Sequence, residues 1–297
     1  MIFNLNRFRQ MMIVLGCFVG LIAGGVAAQA PAEQDPAAAR IVVAATVHPL
    51  ALLARQIGQE AVTVSTLVPQ GADPHAFEPT PGVLRLLVGA DLVLGNGAGV
   101  DNWSRRAARS GRLLVAEDSL AARDGRALES GASLWLDPEV MAEFAKRIAE
   151  KLCEVRAAAC PEISARAVAV AQEIRAMIGE AKGRAAARRA GHLISFHLVW
   201  GRLARPLGIT EIGGFAECET KARTWGLLRE ARRVVESEGV SYLVVEPLHE
   251  GSADMKQIVD ELHLRPLSLD SMGFRAADYR AFLAGAITGL EKASGAE

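Results

Sequence analysis

Short runs of β-branched and aliphatic residues alternate along this chain with longer stretches in which apolar positions recur every three or four residues. The short runs read as strands, the longer ones as amphipathic helices, and their alternation as parallel sheets built from βα units. Residues 41–46, 62–68, 91–94 and 113–116 are predicted strands of a first lobe, and 192–196, 209–212, 242–246 and 266–269 of a second. Helices are predicted between them, among others over 50–57, 82–89, 138–153 and 227–237. Residues 161–190 open with Pro161 at a first-turn position and carry no further proline, only Gly179 and Gly183 among Ala, Arg, Glu and Ile. One helix of about 40 Å is expected there, long enough to span both lobes and restrict hinge bending between them. The expected fold class is α/β: two lobes (41–160 and 191–297), each a mostly parallel sheet flanked by helices, joined by one long backbone helix (161–190).

The first 30 residues stand apart from this pattern. Arg7 and Arg9 precede an apolar run, and Ala28-Gln29-Ala30 fits the small-x-small rule for signal-peptidase cleavage. Residues 1–30 are therefore read as a signal peptide and 31–40, rich in Ala, Pro and acidic groups, as a flexible leader. The run is interrupted by four glycines, which disfavours a membrane anchor. Val14-Leu15-Gly16-Cys17 resembles a lipoprotein box, so a lipid anchor is the second reading after a periplasmic protein.

The net charge of −1 becomes more acidic once Arg7 and Arg9 are removed, which argues against a general nucleic-acid or anionic-membrane binder. Cys153, Cys160 and Cys218 survive processing. Cys153 closes one predicted helix and Cys160-Pro161 opens the next, so the pair is either a disulfide stapling the turn or two partly buried thiols. Cys218, in Glu217-Cys218-Glu219, follows a predicted strand and could reach the ligand end of the second lobe, but a free thiol in an exported protein is open to oxidation. Trp135, Trp200 and Trp225 are read as core or crevice walls.

Candidate chemistry concentrates where predicted strands end. His48 directly follows the first strand, and His75 lies in the loop Gly71-Ala72-Asp73-Pro74-His75-Ala76-Phe77-Glu78-Pro79. His197 and His249 lie just beyond strands of the second lobe, and Asp270 follows its last strand. Ligands of open α/β sheets bind beyond the carboxyl ends of the strands. Neutral imidazole with carboxylate is the usual donor set for zinc, manganese or iron. His192 and His263 fall at a strand start and a helix-to-strand turn and read as surface residues.

These segments carry a resemblance. Leu67-Val68-Pro69-Gln70-Gly71-Ala72-Asp73-Pro74-His75, Ala90-Asp91-Leu92-Val93-Leu94-Gly95-Asn96-Gly97, Ser195-Phe196-His197, Val245-Glu246-Pro247 and Leu269-Asp270-Ser271-Met272-Gly273 resemble the periplasmic solute-binding proteins of the zinc and manganese ABC-transporter family, ZnuA/TroA-like. The resemblance runs from residue 41 to about residue 292. It implies two lobes on one long helix, His75, His197 and Asp270 as metal ligands, and a membrane permease with its ATPase as partners; a monomer is expected.

One position departs from the pattern. Family members resemble one another in a histidine two residues before the tryptophan of Ser133-Leu134-Trp135-Leu136-Asp137-Pro138, where this chain has Ser133. A serine hydroxyl is a poor substitute for imidazole toward zinc. Three explanations stay open. His48 or His249 completes the shell, with His48 slightly favoured because it shares the lobe of the gap; water fills the place; or the site is degenerate and takes a chelated metal.

His197 stands where manganese-selective relatives resemble one another in carrying a carboxylate, so Zn2+ is favoured over Mn2+, Fe2+ or copper. Against zinc, the His- and acid-rich loop of zinc-type relatives is missing between Leu114 and Trp135. The chain has no His-Glu-x-x-His, nucleophile elbow or phosphate loop. The expectation is capture and transport of an ion by a binding protein, not an enzyme, with an adhesin or metal chaperone as the alternative.

Overall fold

The computed structural model describes residues 40–109, 111–120, 131–187, 191–216 and 221–295. The predicted signal peptide, the leader up to residue 39, residues 121–130 and Cys218 lie outside the described residues.

The first lobe runs β1 (Ile41–Ala45), α1 (His48–Gly58), β2 (Val62–Thr66), α2 (Pro81–Gly89), β3 (Leu92–Gly95), α3 (Asn102–Ala107), β4 (Leu113–Val115) and α4 (Pro138–Val155). After α5 (Cys160–Ala186), the second runs β5 (Gly191–Ser195), α6 (Gly201–Ala204), β6 (Ile209–Gly213), α7 (Lys221–Glu238), β7 (Tyr242–Val245), α8 (Ala253–Leu262), β8 (Arg265–Ser268) and α9 (Tyr279–Ala293). Both sheets are wholly parallel, in the orders β2-β1-β3-β4 and β6-β5-β7-β8. The two-lobed α/β architecture is therefore the expected one.

Alternation along the strands assigns each face to a layer. Val43 and Ala45 face a central core, while Ala44 faces an outer cluster with Leu87, Val93 and Trp103. In the second sheet Leu193 joins the central core, and Ile194 faces an outer cluster with Leu228, Ala231 and Ile258 from α7 and α8. The central core takes side chains from α1, α4, α5 and α9 and from both sheets, so one apolar interior runs through the two lobes.

Helix α5 lies along that interior. Ile163, Ala167, Val170, Ala171, Ile174, Ile178 and Ala181 recur at helical spacing and are its buried stripe. Its 27 residues correspond to about 40 Å. Arg166 donates to Ile57 O at 2.6 Å, Arg175 pairs with Glu139 and Arg184 with Glu291, tying the helix to α1, α4 and α9. At its start Cys153 and Cys160 form a disulfide across the turn from α4.

Three expectations are corrected. Several predicted strands run past the last ladder pair, because residues such as Thr46, Leu67 and Phe196 keep extended hydrogen bonds after the regular pairing has ended. Helix α7 starts at Lys221, six residues before the predicted start at 227, because its first turns lack the apolar stripe that marks the rest. Trp135 and Trp200 are buried as expected, but Trp225 is 63% exposed, and the first buried side chain among those described in α7 is Leu228.

Candidate metal centre

In each sheet the strand order reverses at a central pair, β1 with β3 and β5 with β7. Loops leaving the two strands of such a pair diverge, which opens a crevice beyond their carboxyl ends. In the second lobe that crevice holds three groups. His197 follows β5, whose continuation is fixed by Phe196 N–H donating to Val244 O at 2.8 Å. Glu246 follows β7 directly, and His249 ends the single turn Pro247–His249, its N–H donating to Glu246 O at 2.9 Å.

The His197 and His249 rings lie 5.8 Å apart between centroids, inclined at 61°, and His249 packs against Phe196 at 5.3 Å. One potential ligand atom from each of His197, Glu246 and His249 lies within 4.8 Å of the other two, and among the described residues no other three His, Cys, Asp or Glu groups meet this closely. His75 reaches the same place from the first lobe, its ring edge-on to His197 at 5.7 Å and 82°. Its loop is shaped by an Asx turn in which His75 N–H donates to Asp73 Oδ1 at 2.8 Å. Behind the ring sits Gly131 at φ +81°, a left-handed backbone that favours glycine.

Glu246 is 5% exposed, and neither carboxyl oxygen has a hydrogen-bond partner among the described residues. Burial pushes its carboxyl up to about 8, with His197 beside it pulling the other way. Glu211 lies near Glu246, and burial also raises its carboxyl, against hydrogen bonds from Ser195 Oγ at 2.7 Å and Trp200 N–H at 3.2 Å.

His75, His197, His249 and Asp270 all line one crevice of about 160 Å³ between the lobes, with Glu246 at its base. Asp270 accepts from Met272 N–H at 3.0 Å and Arg275 N–H at 3.3 Å, so both its oxygens are engaged by their own loop. His48 does not line the crevice. It braces the wall from behind, stacked on Phe274 at 4.6 Å with Nδ1 3.2 Å from Met272 O and Nε2 3.5 Å from an Arg55 nitrogen. Burial lowers its pKa, Arg55 adds to that, and the Met272 carbonyl opposes it. His192 pairs with Glu238 and His263 caps α8 in a left-handed conformation, both away from the crevice.

Ser133 does not line the crevice either. It is 5% exposed, and its hydroxyl has no hydrogen-bond partner among the described residues. The segment around it is held by Asn96, which donates to Ala132 O and accepts from Leu134 N–H, both at 2.9 Å. Asp101 anchors that turn in its place, accepting from Thr46 Oγ1 and Asn96 N–H at 2.6 Å and from Gly97 N–H at 2.8 Å. Trp135 then crosses to the second lobe, its indole donating to Ser271 O at 2.8 Å, and Tyr279 OH returns a bond to Trp135 O at 2.9 Å.

Sequence reasoning placed Glu246 only in the strand beneath the site. The signal that could have promoted it is its position, directly after a central strand and three residues before a histidine. The crevice thus gathers three imidazoles with carboxylates beside them, a donor set suited to a borderline divalent ion.

Known proteins bear on this arrangement. The manganese ABC transporter substrate-binding lipoprotein PsaA of Streptococcus pneumoniae is 26% identical over 158 residues, 48% of this chain and 51% of that protein. The iron ABC transporter substrate-binding lipoprotein MtsA of Streptococcus pyogenes serotype M1 is 26% identical over 161 residues, again 48% of this chain and 51% of its own. The chain spans about half the length of the curated relatives it matches. The periplasmic zinc binding protein TroA of Treponema pallidum shares the fold, with a TM-score of 0.72 at 19% identity, over 86% of this chain and 99% of that one. Residues 43–293 match the family described as zinc-uptake complex component A, periplasmic, and the chain belongs to that family.

Proposed function

We propose that this protein is an exported solute-binding protein that captures one divalent transition-metal ion, zinc in preference to manganese or iron, and delivers it to an ABC-transporter permease with its ATPase. The observation that carries this reading is the convergence of His75, His197, His249 and Asp270 on one crevice at the ligand end of both sheets. Zinc is favoured because three imidazoles converge there, and imidazole nitrogen suits zinc better than the harder ions, which prefer a largely oxygen shell. Export agrees with the Cys153–Cys160 disulfide, a bond at home in an oxidising compartment. The ion is cargo, so the protein's part is to bind, shield and release it, with neither catalysis nor nucleic acid involved.

Native mass spectrometry of metal-stripped protein titrated with zinc, manganese and iron(II) tests this. One zinc bound, outcompeting the other two and lost in His197→Ala, is the expected outcome. No ion bound at micromolar concentration would refute it and direct the search to a chelated metal.

A further inference from the structure

We infer that the ion is seated by His197, Glu246 and His249, all from the second lobe, with His75 closing from the first, so that His249 supplies the imidazole that Ser133 cannot. This rests on the reading of the crevice as a metal site and assigns its ligands.

Two independent observations carry the assignment. The first is geometric: the three donors already lie within 4.8 Å of one another. Around a tetrahedral zinc with bonds near 2.0–2.1 Å, neighbouring donors stand roughly 3.3 Å apart, a contraction that side-chain rotation can supply. The backbone beneath is rigid, because Ile194 pairs with Leu243 and Ser195 with Val244 in the middle of the sheet. His197 and Glu246 therefore leave adjacent strands side by side. The second observation is Glu246 itself, whose two carboxyl oxygens are buried with no hydrogen-bond partner of normal geometry among the described residues, the Trp200 indole being the polar side chain beside it. A buried carboxyl without a partner is uncommon in native structures and calls for one, and a cation between two imidazoles supplies it directly.

The other candidates are placed less well. Asp270 lines the crevice but is not among the donors that lie within 4.8 Å of one another, His48 is held behind the wall, and Ser133 does not face the crevice. Asp270 is then a positioning residue that shapes the segment from Ser271 to Arg275.

The test is zinc affinity, by competition with a chromophoric chelator, of the full mature chain and its His249→Ala, Glu246→Gln, Asp270→Asn and His197→Ala variants, with Co2+ absorption as a second readout. His249→Ala and Glu246→Gln are expected to weaken zinc more than about 100-fold, beyond the roughly 10- to 100-fold that loss of an outer-shell partner costs. Asp270→Asn is expected to stay within that smaller range, and the Co2+ spectrum to change in His249→Ala. Wild-type affinity in His249→Ala and Glu246→Gln, with binding lost in Asp270→Asn, would overturn the assignment while leaving the crevice a metal site. A wild-type chain that binds no zinc, or a His197→Ala variant that binds it unchanged, would overturn the metal-site reading and this assignment with it. If Glu246→Gln does not fold, His249→Ala with the Co2+ spectrum decides alone.

Discussion

At the scale of single residues, burial sets the protonation of Glu246. Its carboxyl is pushed up to about 8 from an ordinary 4.5, so across that interval the folded, metal-free chain holds a proton that the unfolded chain has released. The unfolded state then gains from rising pH and the folded state does not, so this group's contribution is full below 4.5 and is lost by about pH 8. The melting temperature of metal-free Glu246→Gln, relative to wild type, should accordingly rise between pH 5 and pH 8; parallel curves would show that the carboxyl is not held protonated. Asp101 makes a different prediction. Asp101→Ala leaves the Thr46 hydroxyl and the Asn96 and Gly97 N–H groups without their buried acceptor, costing about 3 kcal/mol or more at 1–3 kcal/mol per orphaned group. Denaturant melts would show the loss. Glu246 lay in a segment the sequence marked and Asp101 just beyond one, and neither role was legible there. Position after a strand tells which end of the sheet a side chain occupies, not where its tip points. His48 and His249 were indistinguishable on that ground, and only the stacking of His48 on Phe274 and the turn that brings His249 over Phe196 separate them.

Elements were read more securely. The strand alternation and the proline-led, glycine-poor stretch of α5 are periodic over many residues, so small local errors do not alter the result. Their ends were less legible, since the chain stays extended for a residue or two after pairing stops and the first turns of α7 carry no apolar stripe. The α4–α5 turn was left open between a disulfide and free thiols because spacing fixes proximity, not bonding. With the bridge present, an eight-residue loop is closed, worth about 2.5 kcal/mol by chain entropy. Cys153→Ser with Cys160→Ser should lower stability by about that much and leave zinc affinity unchanged, as calorimetry and titration on the same sample would show. The buried stripe of α5 is costlier to disturb. Ile174→Ala, in the interior shared by both lobes, should cost about 2–5 kcal/mol, read from urea unfolding.

For the whole molecule, the main apolar interior is shared, so each lobe taken alone would keep only its smaller outer cluster. A calorimetric scan should show one transition, and a chain cut before α5 should not fold as a soluble lobe; two resolved transitions would contradict this. The floor of the crevice is fastened as well, by the Trp135–Ser271 and Tyr279–Trp135 hydrogen bonds and the Arg202–Asp137 ion pair at 3.0 Å. Fastened there, the two lobes are expected to move little between the empty and the filled form. What changes on loading is the electric field, because a divalent cation set beside Glu246 makes the local charge positive. That field fades over about 8 Å at physiological ionic strength. Any receptor that distinguishes the two forms must therefore press its sensing surface close over the crevice mouth, where Leu198 and Leu248 stand exposed at 52% and 46% beside the two histidines.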